Sequence, residues 1–231
     1  MKTIGVLGGM SWESTQSYYR LLNEGVKARL GGFHSARVCL VSVDFADIET
    51  LQRAGDWDAA GRYLAASARQ VEAGGADCLV LATNTMHCVA EAIETAIDIP
   101  LLHIADATGA ALREAGIRRV GLLGTRFTME QPFYRERLEQ RHGIEVVVPD
   151  AEARQAVHDI IFQELVLGTI DDTSRERYLA IIDTLASRGA EGVILGCTEI
   201  ALLVQQAHTA LPLFDTTDLH ARAALAFALD D

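Results

Sequence analysis

The sequence predicts an α/β fold made of two similar lobes, each a mainly parallel sheet flanked by helices. Three observations carry this. Short apolar runs rich in Val, Ile and Leu recur, the pattern of strands buried on both faces of a parallel sheet. Helical patterns separate most of them, the alternation that βαβ units require. Segments of the second half also repeat segments of the first in the same order.

The runs expected as strands are Ile4 to Leu7, Val38 to Val43, Cys78 to Leu81, Pro100 to Leu102, Val120 to Leu123, Glu145 to Val148, Val193 to Leu195 and Pro212 to Phe214. Helices are expected over Trp12 to Leu30, Trp57 to Ala73, Met86 to Ala96, Thr108 to Ala115, Met129 to Arg141, Ala151 to Leu167, Thr173 to Arg188 and Leu219 to Leu229. Gly74-Gly75, Gly116 and Gly189 follow three of these helices directly, where a left-handed residue often ends a helix. The repeat pairs IGVLGGM at 4–10 with VGLLGTR at 120–126, GADCLVLATNT at 75–85 with GAEGVILGCTE at 189–199, and IPLLHIAD at 99–106 with LPLFDTTD at 211–218. Three ordered matches at nearly constant spacing point to a duplicated unit. The first lobe is expected over 1–105 completed by 210–231, and the second over 106–209.

Composition narrows the function. At 231 residues, 49% hydrophobic and 23% charged, the chain is long enough to bury a large core. No window approaches the roughly 20 apolar residues of a membrane helix, and the start reads as a strand rather than a signal peptide, so the expected location is the cytoplasm, with no membrane partner. A formal charge of −12 without a basic stretch argues against nucleic acid. Cys39, Cys78, Cys88 and Cys197 have no Cys-x-x-Cys spacing and the seven histidines are scattered, so reduced thiols and no metal site are expected.

In the repeat, Thr83 and Cys197 occupy matching positions, each where an apolar strand stops and a helix begins. Such a turn presents its first side chain and several free backbone N–H groups to one small space, which suits a carboxylate. Two facing turns can hold a planar intermediate with one side chain over each face, the arrangement that inversion of a stereocentre by proton transfer needs.

Thr83-Asn84-Thr85-Met86-His87, Cys197-Thr198-Glu199 and the opening Gly8-Gly9-Met10 resemble the aspartate/glutamate racemases, a family that works without pyridoxal phosphate, and the similarity spans essentially the whole chain. The family pattern is a Cys-Asn-Thr turn in one half and a Cys-Thr turn in the other. This chain departs from it at Thr83 and looks closest to the subgroup with threonine in place of the first catalytic cysteine. The resemblance implies two pseudo-symmetric lobes with the active site in the cleft between them, no cofactor, a small-molecule amino-acid substrate and a homodimer. It also implies that Cys197 deprotonates the L-enantiomer of aspartate or glutamate while Thr83 acts on the D-side. A thiol near pKa of about 8.5 can be shifted toward thiolate at a helix N-terminus, whereas an alcohol cannot, so Cys197 is expected as the stronger base.

Asn84, Thr85 and Thr198 are expected to bind the α-carboxylate, although each is also a good capping residue. Met10, Gln52 in the loop after the second strand, Thr125 and Thr128 match substrate-contacting segments of the family. Glu199 is read either as orienting the substrate amino group or as positioning the thiol. His87 is read either as polarising the Cys197 side or as bonded within its own lobe. Cys88 is an alternative base expected to point away from the cleft, and Cys39 and Cys78 are core residues. Some relatives bind the distal carboxylate with a basic residue after the second strand and another on a later helix. The nearest positions here are Gln52 with Arg53 and Gln163 with Glu164, and Arg126 is another candidate.

Two rival functions share these features. One is a single-thiol enzyme of the same superfamily, of the malonate decarboxylase, maleate isomerase or hydantoin racemase type, because a lone thiol suffices to reprotonate an enolate. The other is a non-catalytic metabolite-binding α/β protein. GVLGGM lacks the full G-x-G-x-x-G spacing, which argues against a dinucleotide site.

Overall fold

The apolar runs become parallel strands because helices cover both of their faces. The computed structural model describes residues 1–230. It divides the chain into two units, one running Met1–Ile104 and resuming at Thr217, the other Ala105–Thr216.

In the first unit the order is β1 (Ile4–Gly8), α1 (Trp12–Leu30), β2 (Val38–Ser42), α2 (Phe45–Ala54), α3 (Trp57–Ala73), β3 (Cys78–Leu81), a 3₁₀ turn (Thr85–Val89), α4 (Ala90–Glu94) and β4 (Leu101–Leu102). The strands pair in parallel in the order β2-β1-β3-β4. Strand alternation sends Ile4, Val6, Cys78 and Val80 to one face, against Tyr18, Leu22 and Val26 of α1 and Ala221, Ala224 and Leu225 of the C-terminal helix. Leu7, Leu79 and Leu81 go to the other, against Ile48, Leu64, Val71 and Ile93. The C-terminal helix is part of this unit because it completes the first of these two layers. A Cβ on Gly25 of α1 would overlap Leu225, so glycine there sets how closely the two helices approach.

The second unit runs α5 (Ile104–Glu114), β5 (Arg119–Gly124), α6 (Arg126–Glu130), α7 (Pro132–Arg137), β6 (Glu145–Val147), α8 (Ala151–Gln163), α9 (Asp172–Ser187), β7 (Val193–Gly196), α10 (Ile200–Leu203) and β8 (Leu213–Asp215), followed by the C-terminal helix α11 (Thr216–Leu229). Its parallel order is β6-β5-β7-β8, the first unit's order over again. Equivalent acids close equivalent strand starts. Asp77 Oδ2 accepts the N–H of Thr3 at 2.6 Å, and Glu191 Oε2 accepts those of Arg118 and Arg119 at 2.7 and 3.2 Å. Among the described residues no helix is long and apolar enough to cross a membrane.

Several boundaries differ from those read in the sequence. The segment from 210, expected with the first lobe, contains β8, whose residues pair with β7, and the chain returns to the first unit only at Thr217. The helix expected over 129–141 is interrupted at Gln131, which is extended (ψ 146) before Pro132, as a residue preceding proline prefers. A helix was not expected between Phe45 and Ala54; Asp44 caps it on the N–H of Ala46 at 3.0 Å and left-handed Gly55 ends it.

Candidate functional site

In the first unit the chain leaves β3 through Ala82 and Thr83. The N–H of Ala82 reaches Leu7 O at 2.9 Å and that of Thr83 reaches Leu81 O at 2.8 Å. Below this turn His87 makes two backbone contacts, Nδ1 to Thr83 O at 2.7 Å and Nε2 to the N–H of Ile104 at 3.2 Å. An amide N–H can only donate, so Nε2 accepts, Nδ1 carries the proton, and the neutral ring holds the Thr83 carbonyl. Of the two readings of His87, its contacts give the one within its own lobe.

His103 packs on this ring at a tilt and His220 meets it edge-on, with centroids 4.4 and 5.8 Å away. His220 Nε2 donates to Leu102 O at 2.6 Å and Nδ1 accepts the Tyr18 hydroxyl at 2.8 Å. Burial pushes the His220 pKa down to about 4, against a smaller opposing effect of the Leu102 carbonyl. Scattered at 87, 103 and 220, these histidines gave no sign in the sequence that they assemble beneath one turn.

Asn84 and Thr85 are buried next to Thr83, and Asn84 does not cap the 3₁₀ turn through its side chain. Met10 is buried in the apolar cluster that also contains Met86. Gly9, before it, has φ +93°, a Cβ there would overlap the Val43 carbonyl oxygen, and its N–H is held by Thr15 Oγ1 at 2.8 Å. Gln52 is not in a loop: it lies buried on α2 with its amide 2.9 Å from Met86 Sδ. The turn chemistry of Asp44 and Gly55 carried that signal.

In the second unit, strand register brings two separate motifs together. Gly124 and Gly196 pair at the ends of β5 and β7, and a Cβ on either would press on Thr128. Thr128 therefore sits against the residue that precedes Cys197. Thr125 caps α6, accepting from the N–H of Thr128 at 3.3 Å, and the two hydroxyls lie 3.2 Å apart.

Cys197 Sγ donates to Glu199 Oε2 at 2.9 Å, and the Thr198 hydroxyl donates to the same oxygen at 2.9 Å. Glu199 is buried while Cys197 keeps partial exposure. Burial, then the Glu199 charge and its hydrogen bond, hold the Cys197 pKa well above the ordinary thiol value, against smaller lowering by the N–H groups of Glu199 and Thr198. The expected shift toward thiolate is thus reversed at rest: the amides of the turn are outweighed by burial and then by a carboxylate two residues on. The Glu199 carboxylate is the hydrogen-bond acceptor that the thiol proton faces.

Glu199→Gln is expected to lower the thiol pKa, because the charge disappears while burial remains. Cys197 alkylation by iodoacetamide, followed by mass spectrometry across pH, should then rise at lower pH than in the unaltered protein. Racemisation should nevertheless fall by roughly 10²-fold, since the proton acceptor is lost. An unshifted alkylation profile would remove Glu199 from this role.

Cys88 packs against the apolar cluster of the first unit, and burial pushes its pKa up to about 12, which keeps it a thiol. Cys78 is a core residue pushed to about 11, chiefly by burial. Of the cations, Arg53 is exposed and paired with Glu49, and Arg126 is exposed on α6 with its guanidinium 5.8 Å from the Phe127 ring centre. Tyr178, which no motif singled out, is buried on α9 and feels the charges of both Cys197 and Glu164.

A duplicated parallel α/β unit, with one copy ending in a Thr-Asn-Thr turn and the other in a thiol–carboxylate turn, is a scaffold for proton transfer at carbon. Over residues 7–224 the sequence matches the Asp/Glu/Hydantoin racemase family, and the chain belongs to it. It is an amino-acid racemase, an isomerase acting on a small-molecule amino acid. The structure of a proposed Asp/Glu racemase from Yersinia pestis is similar to it at 53% identity, with 100% of both chains covered and a TM-score of 0.95. An aspartate racemase homologue from Pyrococcus horikoshii is 33% identical over 99% of each chain, with a TM-score of 0.87. A broad specificity amino-acid racemase of Bacillus subtilis is 24% identical over 96% of each chain.

Proposed function

We propose that the chain interconverts L- and D-aspartate and L- and D-glutamate by direct proton transfer at Cα, with Cys197 acting on the L-enantiomer and Thr83 on the D-enantiomer. The observation that supports this most is the Cys197 to Glu199 hydrogen bond, made at the repeat position that Thr83 occupies in the other copy. As the sulfur proton passes to Glu199, the thiolate takes the Cα proton and charge develops on the α-carboxylate. Backbone N–H groups of the turns, with Asn84, Thr85 and Thr198, stabilise that charge. The Thr83 hydroxyl delivers a proton to the opposite face and regains one from solvent, while the Cys197–Glu199 pair returns its surplus proton to solvent. Met10, Gln52, Thr125 and Thr128 line the substrate in this reading, and the working form is a cytoplasmic homodimer.

Enantiomers have equal free energies in water, so kcat/KM must be equal in the two directions, and any asymmetry shows in isotope exchange instead. Chiral chromatography on L- and D-amino acids, hydantoins and malonates in deuterium oxide tests the reading. Aspartate and glutamate should racemise, with deuterium entering the L-substrate faster than D-product accumulates. Equal exchange from both enantiomers without that lag would sink the assignment of sides. Turnover of a hydantoin or malonate with no amino acid racemised would sink the reaction itself.

A further inference from the structure

Glu164 follows the last residue of α8, and the 3₁₀ turn after it, Leu165–Leu167, packs against α10, the helix that starts directly after Glu199. Its main chain is pinned, since its carbonyl accepts the N–H groups of Leu167 and Thr169 at 3.0 Å each. Its side chain is not. Oε2 is buried without a hydrogen-bond partner, and no Lys, Arg or His among the described residues forms an ion pair with Glu164. The hydroxyl of Tyr178, whose pKa is raised by burial and then by the Cys197 and Glu164 charges, is committed to Val157 O at 3.2 Å.

A buried oxygen left in this state costs about 1–3 kcal/mol, and more when it is charged, so the fold carries it at a loss. Buried polar atoms of this kind call for a partner from outside the chain. The thiol side cannot provide one, because the Cys197 and Thr198 protons already go to Glu199. An amino-acid substrate brings the missing donor in its α-ammonium group, and a basic amino acid brings a second in its side chain.

We propose that Glu164 binds a cationic nitrogen of the amino-acid substrate through Oε2. This rests on the reading that Cys197 works on that substrate.

The test is Glu164→Gln, which keeps size and removes charge, with binding of L-aspartate, L-lysine and succinate followed by titration calorimetry. Succinate is aspartate without the α-ammonium. L-Aspartate and L-lysine should each lose about tenfold in affinity, the equivalent of about 1.4 kcal/mol, with succinate unchanged or tighter, if the α-ammonium is the ligand. Loss confined to L-lysine assigns the side-chain ammonium instead and supports the same contact. A loss shared by succinate, or no loss for any of the three, overturns the proposal. If the variant does not fold, as judged by its thermal melt, Glu164→Asp retains the charge with a shorter reach and should show the same selective loss to a smaller degree. Racemisation releases no net heat, because enantiomers have equal enthalpies in water, so the heats report binding, and failure of the Cys197 reading appears separately, as racemisation that survives Cys197→Ala.

Discussion

Cys197→Ala is expected to lower kcat/KM for racemisation by at least ~10³-fold in both directions, while leaving the thermal melt close to that of the unaltered protein. The equal loss in both directions follows from the equilibrium, which no enzyme can bias. Cys197→Ser separates chemistry from packing. Its hydroxyl can still donate to Glu199 as the thiol does at 2.9 Å, yet an alcohol has no accessible anion, so most of the loss should remain. Thr83→Ala should behave differently. Cys197 can still remove a proton from the L-substrate, exchange it with solvent and return a deuteron to the same face. Deuterium should therefore enter the L-amino acid while little D-product forms, raising the ratio of exchange to inversion by roughly 10-fold or more. A Thr83→Ala protein that racemises at the unaltered rate would remove the hydroxyl from the reaction. Chiral chromatography coupled to mass spectrometry reads both quantities from one sample.

The second large effect is on stability as pH falls. His220 is fully buried and its pKa is held down at about 4, whereas an unfolded histidine titrates near 6.5. Between those values the unfolded chain binds the extra proton and the folded chain does not. The stabilisation is therefore complete above about pH 6.5 and is lost progressively as pH falls toward 4, by about 3 kcal/mol from this group alone. The groups that face the ring accept no second charge: the Leu102 carbonyl already takes the Nε2 proton, Tyr18 donates to Nδ1, and the other neighbour is the His87 ring. Urea unfolding from pH 7 to 4.5 should show the loss, and His220→Gln, although less stable at pH 7, should show a shallower decline. Parallel declines in the two proteins would mean that other groups carry the acid sensitivity.

Much of the fold was legible because it is encoded locally. Val, Ile and Leu runs marked the strands, and the repeat anticipated two sheets of one strand order. The rest of the fold lies in short cap signals or in pairings made over distance. Helix α2 had its Asp44 cap, its apolar positions Phe45, Ile48 and Leu51, and its closing Gly55, all readable and all within a short span. The placement of β8 was not readable to that precision, because only hydrogen bonding to β7 decides which sheet a three-residue strand joins.

The sequence by itself determined the duplicated α/β plan, the family, and the matched positions of Thr83 and Cys197, since periodicity and repetition lie in residues close along the chain. Tertiary structure alone decided the protonation of the site. The raised thiol pKa depends first on burial, to which Glu199 two residues on adds its charge; the neutral rings of His87 and His220 depend on backbone partners at Ile104 and Leu102; and the orphaned oxygen of Glu164 is a product of burial alone. The free energy of a charge depends on everything packed around it, and that surrounding exists only once the chain has folded.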